Sequence, residues 1–237
     1  MIRRWLWLAL LLVPLTAQAQ SVSIDLGAAG QAGATARIMQ LTALVTLLSL
    51  APSLLVMATA FTRIVMVLSL LRTALGTQGA PPTTVLIGLS LFLTWFVMQP
   101  VFDQAWTDGI APMMDSRLNE MDGIKAAAEP FRAFMLHNLR AGDLGFFQSL
   151  GHVPADDLSW RVVVPSFMIG ELRRAFEMGF LLFLPFLVID MVVASVLMSL
   201  GMMMLPPNVV SLPFKLIFFA TVDGWRLVAG GLVRTFG

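Results

Sequence analysis

The amino-acid sequence predicts an all-α protein of the membrane type, in which two long, kinked helical hairpins flank a polar helical region. The composition points this way, because 58% of the 237 residues are hydrophobic and only 12% are charged, whereas a soluble domain carries about 25% charged residues. Uncharged apolar runs such as residues 41–62 are long enough for a helix that crosses a bilayer. The apolar runs show neither the alternation of half-buried strands nor the segmentation of a membrane barrel.

Several classes of function find no support in the residues. The formal net charge of +1 gives no basic footprint for nucleic acid, and the absence of cysteine excludes disulfides and thiolate chemistry. No metalloprotease, serine-hydrolase or phosphate-loop motif is present. His137 and His152 are far apart, which makes a weak case for a metal site. We therefore expect no catalytic residue, no metal and no cofactor.

The first residues have the layout of a secretory signal peptide. Arg3 and Arg4 form a basic start, an apolar core follows, and Ala17-Gln18-Ala19 is a small-x-small cleavage pattern. The alternative is a first transmembrane anchor, but the apolar core is shorter than the ~18 residues that a span needs. We expect a signal peptide over residues 1–19 and a flexible leader over 20–37, with an extracytoplasmic N-terminus after cleavage.

Residues 38–102 predict the first hydrophobic hairpin. Its arms are the uncharged segments 41–62, with a kink at Pro52, and 83–101, which ends near Pro100. The turn-like stretch GTQGAPPTT separates the arms. Arg63 and Arg72 flank this turn, and the positive-inside rule places such residues in the cytoplasm.

Residues 103–161 differ from their neighbours. They contain nine acidic and five basic residues and no long apolar run. Helix-like stretches such as GIKAAAEPFRAFMLHNLR predict a polar helical region, and its acidic excess suits the extracytoplasmic side. Residues 162–237 then predict a second hairpin, which carries charges within its apolar helices.

Four of these charges lie close together at the start of the second hairpin. Glu171 and Arg174 are three residues apart, and Arg173 and Glu177 are four apart, so each pair can meet on one helix face. One interpretation is an exposed helix end at the membrane surface. The other is that the charges pair within the helix or with neighbouring subunits.

Asp190 stands alone among apolar residues, just beyond a helix bend expected at Pro185. A charge at the middle of a bilayer costs at least ~2.5 kcal/mol, so such a residue normally faces a partner or a wet cavity. Lys215 and Asp223, in the last hydrophobic segment, are its candidate partners. The sequence does not decide between them.

The stretch MSLGMMMLPPN contains the Met-rich loop, residues 201–207. Gly201, Pro206 and Pro207 supply the turn chemistry, so the three methionines between them are not required by the turn. Methionine adapts to irregular and changing partners better than other apolar residues. An apolar stripe leads into the loop along one helix face, formed by Met191, Ser195, Met198 and Met202.

Two long stretches resemble the FliP/SctR family of type III export proteins. One is SFMIGELRRAFEMGFLLFLPFLVIDMVVASVLMSLGMMMLPPNVVSLPFKLIFFATVDGW, and the other is LLSLAPSLLVMATAFTRIVMVLSLLRTALGTQGAPPTTVLIGLSLFLTWFVMQPVF. The resemblance covers residues 38–230. It implies a homo-oligomer, expected to be a pentamer, that assembles with FliQ and FliR into a helical multi-subunit pore near FlhB and FlhA. The implied place is the bacterial inner membrane, in the flagellar basal body.

The same resemblance implies a role for the unusual residues. The chain would be a pore-forming subunit of the flagellar protein export gate, passing unfolded flagellar proteins, and Met202, Met203 and Met204 would form its deformable seal. The charges of the second hairpin, Glu171 among them, would lie in helix or subunit contacts. An alternative is a proton-coupled transporter that uses Asp190 as the carrier, and a membrane enzyme is a third hypothesis without motif support.

Overall fold

The computed structural model describes residues 56–236 except 78 and 203, together with single residues and pairs between 38 and 53. The predicted signal peptide, the predicted leader and Met203 lie outside the described residues. The chain divides into two units, and residues 50–237 form the second of them. Every element named below belongs to the second unit.

The described residues of this unit are helical and contain no strand, so the all-α prediction is confirmed for them. In chain order the helices are α1 (Phe61–Leu75), α2 (Thr83–Ala105), α3 (Ala111–Met114), α4 (Glu120–Asn138), α5 (Ala141–Leu150), α6 (Trp160–Ser199), α7 (Pro207–Thr221) and α8 (Gly224–Arg234). A short π-helix, Trp106–Ile110, joins α2 to α3.

The first hairpin is made by α1 and α2, which pack against each other. Helix α1 ends at Leu75 and is capped by Gly76, whose φ of 71° is a left-handed conformation that favours glycine. The sequence predicts an arm over 41–62 with Arg63 beside the turn, but in the structure Arg63 lies in the first turn of α1, and Arg72 alone is near the turn. A hydropathy scale counts Arg63 as an exposed charge and so ends the uncharged arm before it, whereas the structure buries this side chain within the helix that packs against α2.

Helix α2 continues beyond the uncharged segment. It passes Pro100, which the sequence places near its end, and runs through the π-helix into α3, giving a continuous helical stretch from Thr83 to Met114. A π-helix inside a longer helix changes the register of the side chains that follow it. The helix therefore enters the polar region without a break at the predicted boundary.

The polar region consists mainly of α4 and α5. Asn119 caps α4 by accepting a hydrogen bond of 2.8 Å from the backbone N–H of Asp122. Helix α4 lies against the π-helix so closely that a Cβ on Gly109 would fall 2.4 Å from the backbone nitrogen of Ala127. Only glycine permits this approach.

The core is organised around α1, which packs along α6. Ile64, Val67, Leu68 and Leu71 of α1 are fully buried, at the spacing of one helix face. Gly179 of α6 allows close approach, because a Cβ there would lie 2.2 Å from Leu70 Cδ1. Thus a 15-residue helix supplies much of the centre of the described unit.

Among the residues described, two helical stretches are long and apolar enough to cross a membrane, Thr83–Met114 and Trp160–Ser199. A third candidate is the pair α7 and α8, which bend by 63° at their junction. Only 28% and 11% of the most apolar windows of the first two stretches are buried within the chain. Their outer faces are therefore free to contact lipid or another protein.

Candidate functional site

The Met-rich loop connects the end of α6 to the start of α7. After α6, the N–H of Gly201 donates to the carbonyl of Met198 at 3.1 Å, and the N–H of Met202 donates to the carbonyl of Leu197 at 3.0 Å. With Gly201 at φ 72°, these bonds form a Schellman motif, which ends a helix through a left-handed glycine. Backbone hydrogen bonds therefore fix the conformation of the loop where it leaves α6.

The second side of the loop is held by prolines. Pro206 is the N-cap of α7 and Pro207 is its first residue, where the missing proline N–H costs no helical hydrogen bond. Between these supports, Met202 is 43% exposed and Met204 is 97% exposed. The loop thus has two structured ends and presents apolar, flexible side chains outward.

The stripe that leads into the loop is also on the surface of the chain. Met191 and Met198 are exposed, so these methionines do not serve as core residues of this chain. Beside them, an open apolar groove of about 540 Å³ runs between α6 and α7. Its walls include Val192, Val196 and Phe214.

Glu171 is paired with a residue from the first hairpin. Both of its carboxylate oxygens accept from Arg63, with Nε donating to Oε2 at 2.7 Å and Nη2 donating to Oε1. Both side chains are fully buried, and Arg174 Nη1 lies 3.7 Å from Glu171 Oε1. The predicted contact of Glu171 with Arg174 is therefore present, but it is secondary to a bidentate pair across 108 residues.

The other predicted pair of α6 is not formed. Arg173 Nη2 instead contacts Asp143 Oδ1 at 3.1 Å, and Glu177 accepts two hydrogen bonds from Arg140, at 2.8 and 3.2 Å. These bonds raise the pKa of the Arg140 guanidinium above its usual value, against the opposing effect of desolvation. The two contacts join the start of α5 to α6. Arg173 and Glu177 therefore bind residues of this segment instead of each other.

Asp143 is the buried member of this group. Its Oδ2 has no hydrogen-bond partner among the described residues, and a Cβ on Gly170 would lie 3.3 Å from it. The carboxylate can thus be buried against α6 because residue 170 has no side chain.

Asp190 is paired with Lys215. Lys215 Nζ donates to Asp190 Oδ2 at 2.7 Å and to the carbonyl of Ala74 at 3.2 Å, and Ser211 Oγ donates to Asp190 Oδ1 at 2.5 Å. Lys215 therefore ties α6 and α7 to the end of α1. Asp223, the other candidate, lies at the bend between α7 and α8 with φ 50°, and the described residues contain no ion pair that includes it.

Sequence reasoning missed Arg63 as a site residue. Its position after an uncharged segment suggested a flanking membrane charge, and the ion pair depends on a fold contact that no local spacing encodes. The described residues contain no group of three or more His, Asp or Glu side chains that could hold a metal ion.

Comparison with known proteins identifies the family of this chain. The FliP family model matches residues 44–232. The chain belongs to the FliP family. The family assignment predicted from the two long stretches is thereby confirmed.

Curated members of the FliP family are similar over most of the chain. The flagellar biosynthetic protein FliP of Caulobacter vibrioides is 55% identical over 234 residues, covering 97% of this chain and 87% of that protein. The FliP of Agrobacterium fabrum is 45% identical over the full length of both chains. The FliP of Bacillus subtilis is 46% identical, covering 84% of this chain and 91% of its own length.

Within a FliP-family chain, the structure thus separates the predicted residues into two groups. Glu171, Asp190 and Lys215 make contacts that join helices of this chain, and Arg174 contacts Glu171 within α6. Met202 and Met204 contribute exposed apolar surface. The first group can stabilise the fold of the chain, whereas the second is accessible to another molecule.

Proposed function

We propose that this chain is a pore-forming core subunit of the flagellar type III protein export gate, and that it passes unfolded flagellar proteins across the inner membrane. Membership of the FliP family supports a role in flagellar export. The two long apolar helices support a place in a membrane-associated assembly. No chemistry of its own is needed for such a role, because the substrate is moved and not transformed.

The observation that carries the pore proposal is the exposure of Met204 on a loop with two structured ends. A side chain that is 97% exposed contributes little to the stability of an isolated subunit. If several copies surround an axis, however, their loops can bring such side chains together. Methionine side chains are flexible and polarisable, so they can close a narrow opening and deform around a passing chain.

Assembly with other subunits is part of the same proposal. We propose a homo-oligomer, a pentamer, with FliQ and FliR, close to FlhB and FlhA. The exposed apolar faces of α2 and α6 support this, because a soluble monomer rarely exposes so much apolar surface. We also propose that residues 1–19 are a cleaved signal peptide and that residues 103–161 are extracytoplasmic.

A proton-coupled transporter that uses Asp190 is the alternative. The geometry of Asp190 favours a structural role over proton transport, because its carboxylate accepts hydrogen bonds from both Lys215 and Ser211. A carrier must exchange its proton with a water path during each cycle. A transporter would lose flux in the variant Asp190→Asn while its assembly persists.

The deciding experiment measures small-ion leak in cells that produce the whole export apparatus. The test variant changes Met202, Met203 and Met204 to alanine, and the matched control changes the exposed Met114 and Met121 of the polar region to alanine. We expect the loop variant alone to increase leak while the amount of assembled complex is unchanged. An intact complex with unchanged leak would show that the loop is not the seal.

A further inference from the structure

Two residues that follow α8 lie directly against the buried ion pair. Arg63 Nη1 donates to the backbone carbonyl of Thr235 at 3.1 Å and to Thr235 Oγ1 at 2.9 Å. The guanidinium carbon of Arg63 also lies 3.7 Å from the ring centroid of Phe236. The segment after α8 thus contacts a side chain of α1 that is 0% exposed.

The hydrogen bonds of Arg63 show why these contacts matter. Glu171 accepts from Nε and Nη2, which leaves Nη1 to be satisfied by another group. Thr235 supplies both acceptors that Nη1 uses. A guanidinium cannot lose its charge in a protein, and a buried donor without a partner carries a desolvation penalty that is larger for charged groups.

Phe236 adds a second kind of contact. Its ring lies over the guanidinium, in the arrangement of a cation–π interaction, which strengthens when the cation is removed from water. The same ring is stacked with Phe134 of α4, with 6.0 Å between the ring centroids. Arg63 therefore joins α1, α6 and the segment after α8, and Phe236 links this contact to α4.

We propose that Thr235 and Phe236 are positioning residues for the Arg63–Glu171 pair, in which Thr235 satisfies Nη1 of Arg63 and the partly buried Phe236 covers the guanidinium. The hydroxyl of Thr235 completes the hydrogen bonding of Arg63, and the ring of Phe236 covers the guanidinium. These contacts maintain a buried charge within the chain whether or not the Met-rich loop is a seal.

The test compares Thr235→Val with Thr235→Ser in the full chain, purified in mild detergent. Valine keeps the shape and the backbone carbonyl but removes the hydroxyl, whereas serine keeps the hydroxyl. The rate of limited proteolysis reports the population of opened molecules. We expect Thr235→Val to raise this rate about tenfold, in line with a lost bond to a buried charge, and Thr235→Ser to stay within about twofold of the native rate.

A double variant without the buried ion pair distinguishes an effect of Thr235 on Arg63 from an effect on general packing. In the double variant Arg63→Met, Glu171→Leu the buried pair is replaced by apolar side chains, a change that proteins often tolerate. Thr235 Oγ1 also donates to the carbonyl of Leu232 at 2.7 Å, and Thr235→Val removes this bond in both backgrounds, so its effect in the double variant measures the loss of that bond alone. If Thr235 acts through Arg63, Thr235→Val then changes the proteolysis rate by less than about twofold, because the two sites are coupled.

Phe236→Leu provides a second, independent test. Leucine retains apolar bulk but lacks the ring face, so we expect a rise of about threefold in the native background and a smaller rise in the double variant, where only the stacking on Phe134 is lost. An equal effect of Thr235→Val and Thr235→Ser would overturn the proposal for Thr235. Equal effects of Phe236→Leu in both backgrounds would overturn it for Phe236. If the double variant does not fold, the comparison of valine with serine still decides the role of Thr235.

Discussion

Glu171 and Glu177 are six residues apart on α6 and occupy opposite environments. Glu171 is fully buried and bidentate with Arg63, whereas Glu177 is half exposed and bonded to Arg140 at the surface. The two contacts are similar in chemistry, but only the first excludes water. A buried pair loses much when one partner is removed, and an exposed pair loses little. Burial, more than charge, is therefore expected to determine how much each ion pair contributes to the stability of this protein.

The largest effect expected from this comparison is that of Glu171→Ala. Removal of the carboxylate leaves Arg63 charged, buried and without its main acceptor, which costs about 3–5 kcal/mol of the free energy of unfolding. Thermal unfolding of the full chain in detergent would measure the loss. A loss no larger than that of Glu177→Ala would show that water reaches Arg63, and the contrast between the two environments would fail.

An intermediate effect is expected for Asp190→Asn. Lys215 is buried, but the side chain of Asp190 is 35% exposed, so solvent offsets part of the lost interaction. We expect a decrease of about 1–3 kcal/mol in the free energy of unfolding, measured in the same detergent. The double variant Asp190→Asn, Lys215→Met should recover stability, since it no longer buries an unpaired ammonium group. A double variant that is less stable than Asp190→Asn would contradict this account.

The smallest effect is expected for Glu177→Ala. The side chain of its partner Arg140 is 41% exposed, and salt screens exposed charges. We expect a small decrease in the melting temperature at low ionic strength that disappears at high salt. The matched comparison is Glu171→Ala, whose decrease should persist in high salt because the buried pair is not screened. A salt-independent effect of Glu177→Ala would indicate that α5 and α6 exclude water at this contact.

Much of the architecture is visible in the sequence, because it depends on local and compositional properties. Long apolar runs predict helices whatever covers them, so the all-α class follows without knowledge of the tertiary contacts. Gly201, Pro206 and Pro207 predict the turn around the methionines for the same reason, since their backbone preferences act locally. The two long stretches are specific enough to predict the family.

The partners of the charged residues were decided only by the tertiary structure. Spacing along α6 allows Arg173 to meet Glu177, but α5 docks there and offers Asp143 and Arg140 instead. Asp190 had two candidates, and the packing of α7 against α6 brings Lys215 to it. Arg63 meets Glu171 across 108 residues. Ion pairs of this kind form between residues that the fold brings together and buries, and neither distance nor dielectric is a local property of the sequence.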